Sequence, residues 1–301
     1  MKRFLELSRA PFFTAIITPG IFGAILAHRE TGHICWLRFV LTIVGLVAAH
    51  AGANLVNDYF DFRLGADLRN PWRNMFSGGS PHIVEGREKA ATFLALGLAS
   101  FAVALACGVA LAWMVDRGVG PVAGLAVLGF AFAFFYTAPP FKLVYRGWGE
   151  FAIFIAFGLL PVLGAYYVQT GALSAWPLIA GLPLSFLITN ILWINEFPDY
   201  ESDRAAGKRH LVVRLGPGIS RYVYHGMAAA AFVLIVTFSL DPRFGRWSLL
   251  GLGALPFAAA ACVMLHRHFL EPPALVRAQG LTIAAHLATG VLLCVGLWLG
   301  A

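Results

Sequence analysis

Long apolar stretches alternate with short polar segments along the whole chain, and this pattern predicts its secondary structure. A helix of about 20 apolar residues crosses a hydrocarbon core of about 30 Å. Nine stretches reach that length, at residues 10–27, 37–56, 92–114, 119–137, 150–168, 175–195, 220–240, 247–266 and 279–300. Because backbone polar groups in lipid must be satisfied within the segment, each stretch is expected to be a helix. The predicted fold class is therefore all-α, a polytopic membrane protein with nine transmembrane helices.

The composition agrees with this prediction. Apolar residues make up 59% of the 301 residues, charged residues make up 12%, and the mean hydropathy is +0.75. A soluble domain has a charged fraction of about 25%, so one globular core would not bury this much apolar surface. The first apolar stretch resembles a signal peptide, but Arg9 and Pro11 interrupt the usual order. We interpret it as a retained span, with cleavage as the alternative.

The distribution of positive charge predicts the orientation in the membrane. If the amino terminus is cytoplasmic, 17 of the 22 Lys and Arg residues fall in the tail and loops on that side. The positive-inside rule therefore favours nine spans with a cytoplasmic amino terminus, as in a bacterial inner membrane protein. The net charge of +7 is explained by these membrane-flanking loops, and no nucleic-acid partner is expected.

Two acidic motifs follow apolar stretches. The first, NLVNDYFDFRLGAD (54–67), contains Asp58 and Asp61 at helical spacing, and Asp67 comes after a glycine. The second, ITNILWINEFPDYESDRAAGK (188–208), places Asn195, Asp199 and Asp203 four residues apart. Spacings of three and four put side chains on one face of a helix. By the orientation above, both motifs lie on the cytoplasmic side, so the chain is interpreted as two similar halves, spans 1–4 and 5–8, followed by a ninth span.

These carboxylates indicate a metal and a phosphate ligand. Two acidic groups at one face of a bundle repel each other unless a cation lies between them, and Mg²⁺ prefers carboxylates together with substrate phosphates. The alternative is that they are solvated charges at helix ends. Ionisable residues at membrane depth are usually functional, however, which favours the metal interpretation.

A loop between the fourth and fifth spans supplies basic and aromatic side chains for a phosphate. It reads YTAPPFKLVYRGWGE (136–150) and contains Tyr136, Lys142, Tyr145 and Arg146. The alternative for each basic residue is an ordinary membrane-flanking anchor.

A Gly- and Ser-rich segment, FSGGSPHIVEGRE (76–88), is interpreted as a flexible cap over the site. It lacks the order of a P-loop, so ATP binding is not expected.

Together these motifs resemble the UbiA superfamily of intramembrane aromatic prenyltransferases. The resemblance is carried by NDYFDFRLGAD (57–67), YTAPPFKLVYRGWGE (136–150), NEFPDYESDRAAGK (195–208) and SRAPFF (8–13). It covers essentially the whole length and is strongest to the MenA branch, the 1,4-dihydroxy-2-naphthoate polyprenyltransferases of menaquinone biosynthesis. The resemblance implies a single domain, residues 1–301, in which nine helices surround a central cavity with the motifs at its cytoplasmic mouth.

The resemblance also implies the roles of individual residues. Two Mg²⁺ ions would bind the diphosphate of a polyprenyl donor, held by Asn57, Asp58, Asp61, Asp199 and Asp203. The catalytic set would be Asp61, Asp67, Lys142, Arg146 and Asp199. The substrate-binding set would be Arg9, Asn57, Arg63, Tyr136, Lys142, Arg146, Asn195, Arg204 and Lys208. Because Asp67 follows Asp61 by six residues rather than four, Asp67 is expected in a loop.

The acceptor is inferred by resemblance alone, so alternatives stay open. Homogentisate, 4-hydroxybenzoate and chlorophyllide are other acceptors for an enzyme of this kind. A transporter with a divalent-cation site is an alternative from a different class, although the charges cluster at one face rather than at the midplane. A member retained for sterol or lipid sensing is a third.

Overall fold

A computed structural model describes residues 2–116 and 119–300 of the chain, without the side chain of Arg69. Its α-helices, in chain order, are α1 (Lys2–Leu7), α2 (Thr14–Thr31), α3 (Trp36–Leu64), α4 (Pro81–Val84), α5 (Ala90–Met114), α6 (Val119–Phe135), α7 (Gly149–Ile153), α8 (Leu160–Thr170), α9 (Trp176–Ala205), α10 (Leu211–Leu215), α11 (Pro217–Phe238), α12 (Leu255–His268) and α13 (Val276–Leu299). Short 3₁₀ helices cover Ala10–Phe13, Asp67–Arg69, Val144–Arg146, Arg246–Ala254 and Pro272–Leu275, and a π-helix covers Phe154–Leu159. No strand occurs in the described ranges, so the predicted all-α class is confirmed.

Eight helical segments of the described chain are long and apolar enough to cross a membrane. They are Ala10–Thr31, Trp36–Leu64, Ala90–Met114, Gly149–Thr170, Trp176–Ala205, Pro217–Phe238, Arg246–His268 and Pro272–Leu299. Each coincides with one predicted span. The remaining predicted span, 119–137, is the shorter apolar helix α6 of 17 residues. The chain is thus an integral membrane protein. Eight of its described helical segments are long enough to cross a membrane, and α6 is a ninth, shorter apolar helix. Arg117, which entered the charge count, lies outside the described residues.

Two helices run further than the apolar pattern predicts, and they carry the acidic motifs. The apolar stretches end near residues 56 and 195, whereas α3 and α9 continue to Leu64 and Ala205. In these last turns one helix face is buried and polar, so the run of apolar residues ends before the helix does. α3 ends where Gly65 adopts a left-handed φ of 86°, a conformation that favours glycine. Asp67 follows in a separate 3₁₀ helix, as expected for a residue outside the helix.

The core lies where both halves of the chain pack together. α2 contacts α3, α8, α9 and α13, so the first predicted span is surrounded by helices from both halves and by the last helix. The largest apolar cluster of the core includes Phe22, Leu26, Val162, Tyr166, Leu184, Leu187, Phe232, Ile235 and Leu293. On the outside, α5 and α6 expose large apolar side chains such as Leu105, Trp113 and Val127. Such an apolar exterior is suited to lipid.

Small residues allow the closest helix contacts. A Cβ atom at Gly158 would lie 2.2 Å from Ser185 Oγ, and one at Gly296 would lie 2.2 Å from the carbonyl oxygen of Trp247. Gly158 belongs to the π-helix that joins α7 to α8, and π-helical segments are frequent at functional sites. Two residues of that segment, Ala156 and Phe157, line the cavities described next.

Candidate active site

The ends of α3 and α9 meet on one side of the bundle and enclose a cavity of about 180 Å³, here called the polar cavity. Five carboxyl groups, two cations and three amides line it: Asp61, Asp67, Glu196, Asp199 and Asp203; Arg9 and Lys208; and Asn54, Asn57 and Asn195. The two acidic motifs, separated by more than 120 residues, therefore face a common space.

Lys208 joins the two motifs. Its Nζ lies 2.9 Å from Asp61 Oδ2 and 3.5 Å from Asp203 Oδ2. The turn after α9 brings Lys208 back, because its backbone N–H donates to the carbonyl of Asp203 at 2.8 Å. Burial alone would lower the pKa of Lys208, but the carboxylates of Asp203 and Asp61 outweigh burial and raise it well above its ordinary value. Lys208 is therefore a permanent positive charge at the centre of the site.

Asp61 is held by donors from three segments. Besides Lys208, Asn57 Nδ2 donates to its Oδ2 at 3.1 Å, and the Tyr145 hydroxyl donates to its Oδ1 at 2.9 Å. Asn57 also donates to Thr137 Oγ1 at 2.6 Å. Burial and the nearby Asp61 charge raise the pKa of Tyr145, so its hydroxyl keeps the proton that it donates. The loop after α6 is thereby fixed to α3.

Asp58 and Asp67 differ in their relation to the polar cavity. Asp58 is not in its wall, although its spacing from Asp61 predicts that the two converge; it forms an ion pair with Arg9, whose backbone has a left-handed φ of 56°. Asp67 lines the cavity instead, and its Oδ2 has no hydrogen-bond partner among the described residues. Burial, together with the charges of Asp61 and Asp58, raises the pKa of Asp67 well above its ordinary value.

The predicted cap is partly in place. Gly78 donates its N–H to Asp199 Oδ2 at 3.2 Å, and Asn70 Nδ2 donates to Asp199 Oδ1 at 2.6 Å. Residues 76–79 line the polar cavity. Only glycine fits at position 79, since a Cβ atom there would lie 2.1 Å from Asp67 Oδ2. The loop thus closes over both acidic motifs, whereas its flexibility stays a prediction.

The predicted basic residues divide into two groups. Arg9 and Lys208 line the polar cavity, whereas Arg63, Arg146 and Arg204 are exposed and absent from its wall. Arg146 donates to the carbonyl of Pro140 at 3.1 Å. Lys142 Nζ lies 5.8 Å from the centre of the Tyr145 ring, and Lys208 Nζ lies 5.9 Å from the same centre. Lys142 therefore lies beside the ring of Tyr145, whose hydroxyl donates to Asp61. The roles predicted for Lys142 and Arg146 stay predictions.

The remaining predicted side chains line the polar cavity. Tyr136 and Asn195 are both in its wall, and Asn195 Oδ1 accepts a hydrogen bond from Gln279 Nε2 at 3.0 Å. Burial and the neighbouring Glu196 raise the pKa of Tyr136 well above its ordinary value.

Glu196 lines the polar cavity and stands within the second motif, but it is not among the predicted site residues. Its spacing of three and seven residues before Asp199 and Asp203 places it on their helix face. That spacing is the signal by which it could have been found. His210 was also missed; its Nε2 lies 3.2 Å from Asp203 Oδ2. Its Nδ1 accepts the N–H of Val213 at 3.3 Å, so it also caps α10.

A second cavity, of about 580 Å³ and here called the apolar cavity, adjoins the polar one. The two share the wall residues His50, Ala133, Ala156 and Phe157. The rest of the apolar cavity is formed largely by aliphatic and aromatic side chains of α3, α5, α6 and α8. His50, at the junction, is packed edge-on against Phe157, with ring centres 4.8 Å apart. A polar compartment and an apolar compartment thus adjoin each other at these four residues.

The polar cavity fits a hard divalent cation. Its carboxyl groups outnumber its cations by five to two, and oxygen-only ligands suit Mg²⁺. The Asp67 oxygen without a partner is a donor that a cation would satisfy. The described residues thus form an acidic cluster of the required chemistry.

The chain belongs to the UbiA prenyltransferase family, whose sequence model matches residues 16–279. It is 29% identical to UbiA prenyltransferase domain-containing protein 1 of Danio rerio, over 82% of this chain and 70% of that protein. It is 27% identical to 2-carboxy-1,4-naphthoquinone phytyltransferase of Synechocystis sp., over 99% of this chain and 94% of that protein. The chain spans 59% to 70% of the length of the first vertebrate relatives that it matches.

The fold is similar to that of a UbiA homolog from Archaeoglobus fulgidus, solved bound to DMAPP and Mg²⁺. The TM-score is 0.65 with 17% sequence identity, over 97% of this chain and 99% of that chain. At this identity the similarity shows the fold alone. The family match and the named relatives confirm the resemblance found in the motifs and the enzyme class that it implies, a prenyltransferase.

Proposed function

We propose that this member of the UbiA prenyltransferase family transfers a polyprenyl group from polyprenyl diphosphate to 1,4-dihydroxy-2-naphthoate, in menaquinone biosynthesis. The observation that carries the proposal is the junction of the two cavities. The polar cavity has the carboxylates and cations that a metal-bound diphosphate requires, and the apolar cavity has room for a hydrocarbon chain. The charged diphosphate of the donor would thus lie in the polar cavity and its hydrocarbon chain in the apolar cavity.

At the diphosphate end, we propose that Asp61, Asp67, Asp199 and Asp203 hold two Mg²⁺ ions, with Asn57 as an additional oxygen donor. Bound Mg²⁺ supplies positive charge that stabilises the departing diphosphate. Asp58 stays a predicted ligand, but its ion pair with Arg9 favours Asp67 for that role.

Arg9 and Lys208 contribute the protein's own positive charge. Both line the polar cavity, so both are within the compartment proposed for the diphosphate. Charge-assisted hydrogen bonds from Arg or Lys to phosphate are strong in a partly dry site. Tyr145 and Asn57 orient Asp61 between them. We further propose that Lys142, Arg146, Arg63 and Arg204 contact the substrate at the mouth of the cavity. Tyr136 and Asn195 are proposed to contact it within the cavity.

The donor chain is proposed to extend past His50 into the apolar cavity. Aromatic rings are available along this path, since Phe12, Phe132 and Phe157 line the polar cavity and Phe157 also lines the apolar one. Loss of diphosphate from an allylic carbon leaves positive charge on the chain, and the faces of aromatic rings attract positive charge. These rings also exclude water, which would otherwise capture the cation.

The choice of acceptor is supported by a relative. The Synechocystis protein, which this chain matches over nearly its whole length, is named as a 2-carboxy-1,4-naphthoquinone phytyltransferase. A carboxylated two-ring acceptor would find polar partners near Asn54, Asn195 and Lys208 in the polar cavity.

We further propose that residues 1–301 form one domain in a bacterial inner membrane. The amino terminus and the acidic motifs would be cytoplasmic, which the excess of basic residues on that side supports.

The test is transfer by the purified protein. Labelled geranylgeranyl diphosphate is offered with 1,4-dihydroxy-2-naphthoate, homogentisate or 4-hydroxybenzoate, with and without Mg²⁺, and products are identified by mass spectrometry. We expect a prenylated, decarboxylated naphthol product only with the naphthoate and only with Mg²⁺. Transfer to another acceptor instead would overturn the naphthoate assignment. Metal uptake into vesicles without any transfer would favour the transporter alternative.

A further inference from the structure

Glu196 is a buried carboxyl group that the proposed metal site and the donor site leave without a role. Its side chain lines the polar cavity, and the residue is 4% exposed. Neither Oε1 nor Oε2 has a hydrogen-bond partner among the described residues. A buried carboxyl group without partners is costly, so a group retained in this state at a reaction cavity points to a ligand that it binds.

The depth of Glu196 fits the acceptor rather than the diphosphate. It precedes Asp199 by three residues on α9, which is about 4.5 Å along the helix axis, in the direction of Ile191 and Ile188, two apolar residues of the same cavity wall. Tyr136, also in that wall, is an electrostatic neighbour of Glu196. With the diphosphate held between the two acidic motifs, as proposed, the prenyl chain leaves it towards the apolar part of the wall, the side on which Glu196 lies. An acceptor that attacks the first carbon of this chain would therefore place its hydroxyl group near Glu196.

The charged and titratable neighbours of Glu196 do not satisfy it. Polar atoms of Glu150, Glu196 and His210 lie within 4.8 Å of one another. His210 Nδ1 is 3.5 Å from Glu196 Oε2, but this nitrogen accepts the N–H of Val213 and forms no hydrogen bond with Glu196. Glu150 accepts the N–H of Leu211 and does not line the cavity. The nearby charges also include Asp199, Asp203 and Lys208, and Lys208 is paired with Asp61 and Asp203. Glu196 thus remains an available acceptor.

We propose that Glu196 is the catalytic base that takes the proton of the acceptor's hydroxyl group, an inference that rests on the proposed function. The O–H bond adjacent to the carboxylate-bearing ring carbon breaks, and its proton moves to the Glu196 carboxylate. That ring carbon forms a bond to the allylic carbon, whose C–O bond breaks with both electrons leaving on diphosphate. The resulting keto acid loses carbon dioxide, and the ring oxygen regains the proton from Glu196.

The closing experiment compares Glu196→Gln with Glu201→Gln. Both residues belong to α9, but Glu201 is exposed and only Glu196 lines the cavity. General-base catalysis contributes about 10²–10⁴-fold, so we expect kcat of Glu196→Gln to fall by at least about 100-fold. Glu201→Gln is expected to keep its kcat within about threefold, and Glu196→Asp, which retains a base, to be faster than Glu196→Gln. Thermal unfolding checks that each variant is folded.

Acceptor acidity separates a base from a structural residue. Naphthoate analogues whose hydroxyl is more acidic need less help from a base, so the ratio of wild-type to Glu196→Gln rates should shrink as acidity rises. A constant ratio, an unchanged kcat, or a loss explained by weaker Mg²⁺ or donor binding would overturn the inference. If the wild type transfers to no aromatic acceptor, the proposed function fails first; an active wild type with an equally active Glu196→Gln overturns this inference alone.

Discussion

The Lys208 ammonium group lies 2.9 Å from the Asp61 carboxylate, although 147 residues separate the two in the chain. Lys208 belongs to the second acidic motif and Asp61 to the first, so this ion pair fixes the two motifs against each other. The same ammonium group lies 3.5 Å from Asp203. One cation therefore balances carboxylates from both motifs in a site that otherwise has an excess of negative charge.

Removing this cation should disable the site without unfolding the bundle. We expect Lys208→Met to lower kcat/KM by about 100-fold, because a preorganised charge at a site of developing negative charge is worth that much or more. Steady-state transfer assays measure the effect. The control is Arg209→Met, an exposed neighbour that should retain full activity. Equal activity of the two variants would show that Lys208 does not act on the diphosphate.

Neutralising one carboxylate of each motif should abolish turnover. Asp61→Asn and Asp199→Asn keep the size of the side chain but remove a charge from each wall of the polar cavity. We expect activity below about 1% of the wild type in both, with helix content by circular dichroism retained. Asp116→Asn, in an exposed turn, serves as the control. Normal turnover in both cavity variants would contradict the metal assignment.

Asp58 and Asp67 should differ in what their loss does. Asp67→Asn removes a cavity-facing oxygen, so we expect Mg²⁺ affinity at least about tenfold weaker, measured by calorimetry with a non-hydrolysable donor analogue. Asp58→Asn leaves Arg9 without its carboxylate, which should lower the unfolding temperature and change Mg²⁺ affinity less. The reverse pattern would restore Asp58 as the ligand and exclude Asp67.

Chelation should remove activity reversibly. After treatment with EDTA we expect no transfer, and full recovery when Mg²⁺ is added. Ca²⁺ should restore much less, since it favours longer bonds and more ligands than Mg²⁺. Helix content should not change, because apolar packing rather than the metal holds the bundle together. Transfer that persists after complete chelation would argue against a metal in this site.

Close helix packing should be sensitive to one methyl group. Gly296→Ala places a Cβ atom 2.2 Å from the Trp247 carbonyl oxygen, which belongs to the backbone and yields only by moving the helix. We expect a loss of about 1–3 kcal/mol in the free energy of unfolding. Gly226→Ala, where no atom lies within 4 Å, is the control and should be neutral or slightly stabilising. Unfolding in detergent and denaturant compares the two; equal stability would contradict the packing described.

The order and type of the helices could be predicted from the sequence, and so could many of the side chains that line the polar cavity. Apolar length is a local property, and it located each of the eight membrane-crossing segments. Helical spacing is also local, and it placed Asn57 and Asp61 on one face and Asp199 and Asp203 on another. The pattern ended α3 and α9 too early, because a helix face that lines a polar cavity does not continue the apolar run.

The sequence by itself determined that the chain is a helical membrane protein of one family, with two acidic motifs on the same side. The tertiary structure decided which side chains of those motifs share a cavity. Asp67 faces it while Asp58 binds Arg9, and Lys208 reaches Asp61 while Arg146 points to solvent. Such partnerships depend on the rotation of each helix and on where distant loops return, and these are fixed by packing across the whole bundle rather than by neighbouring residues.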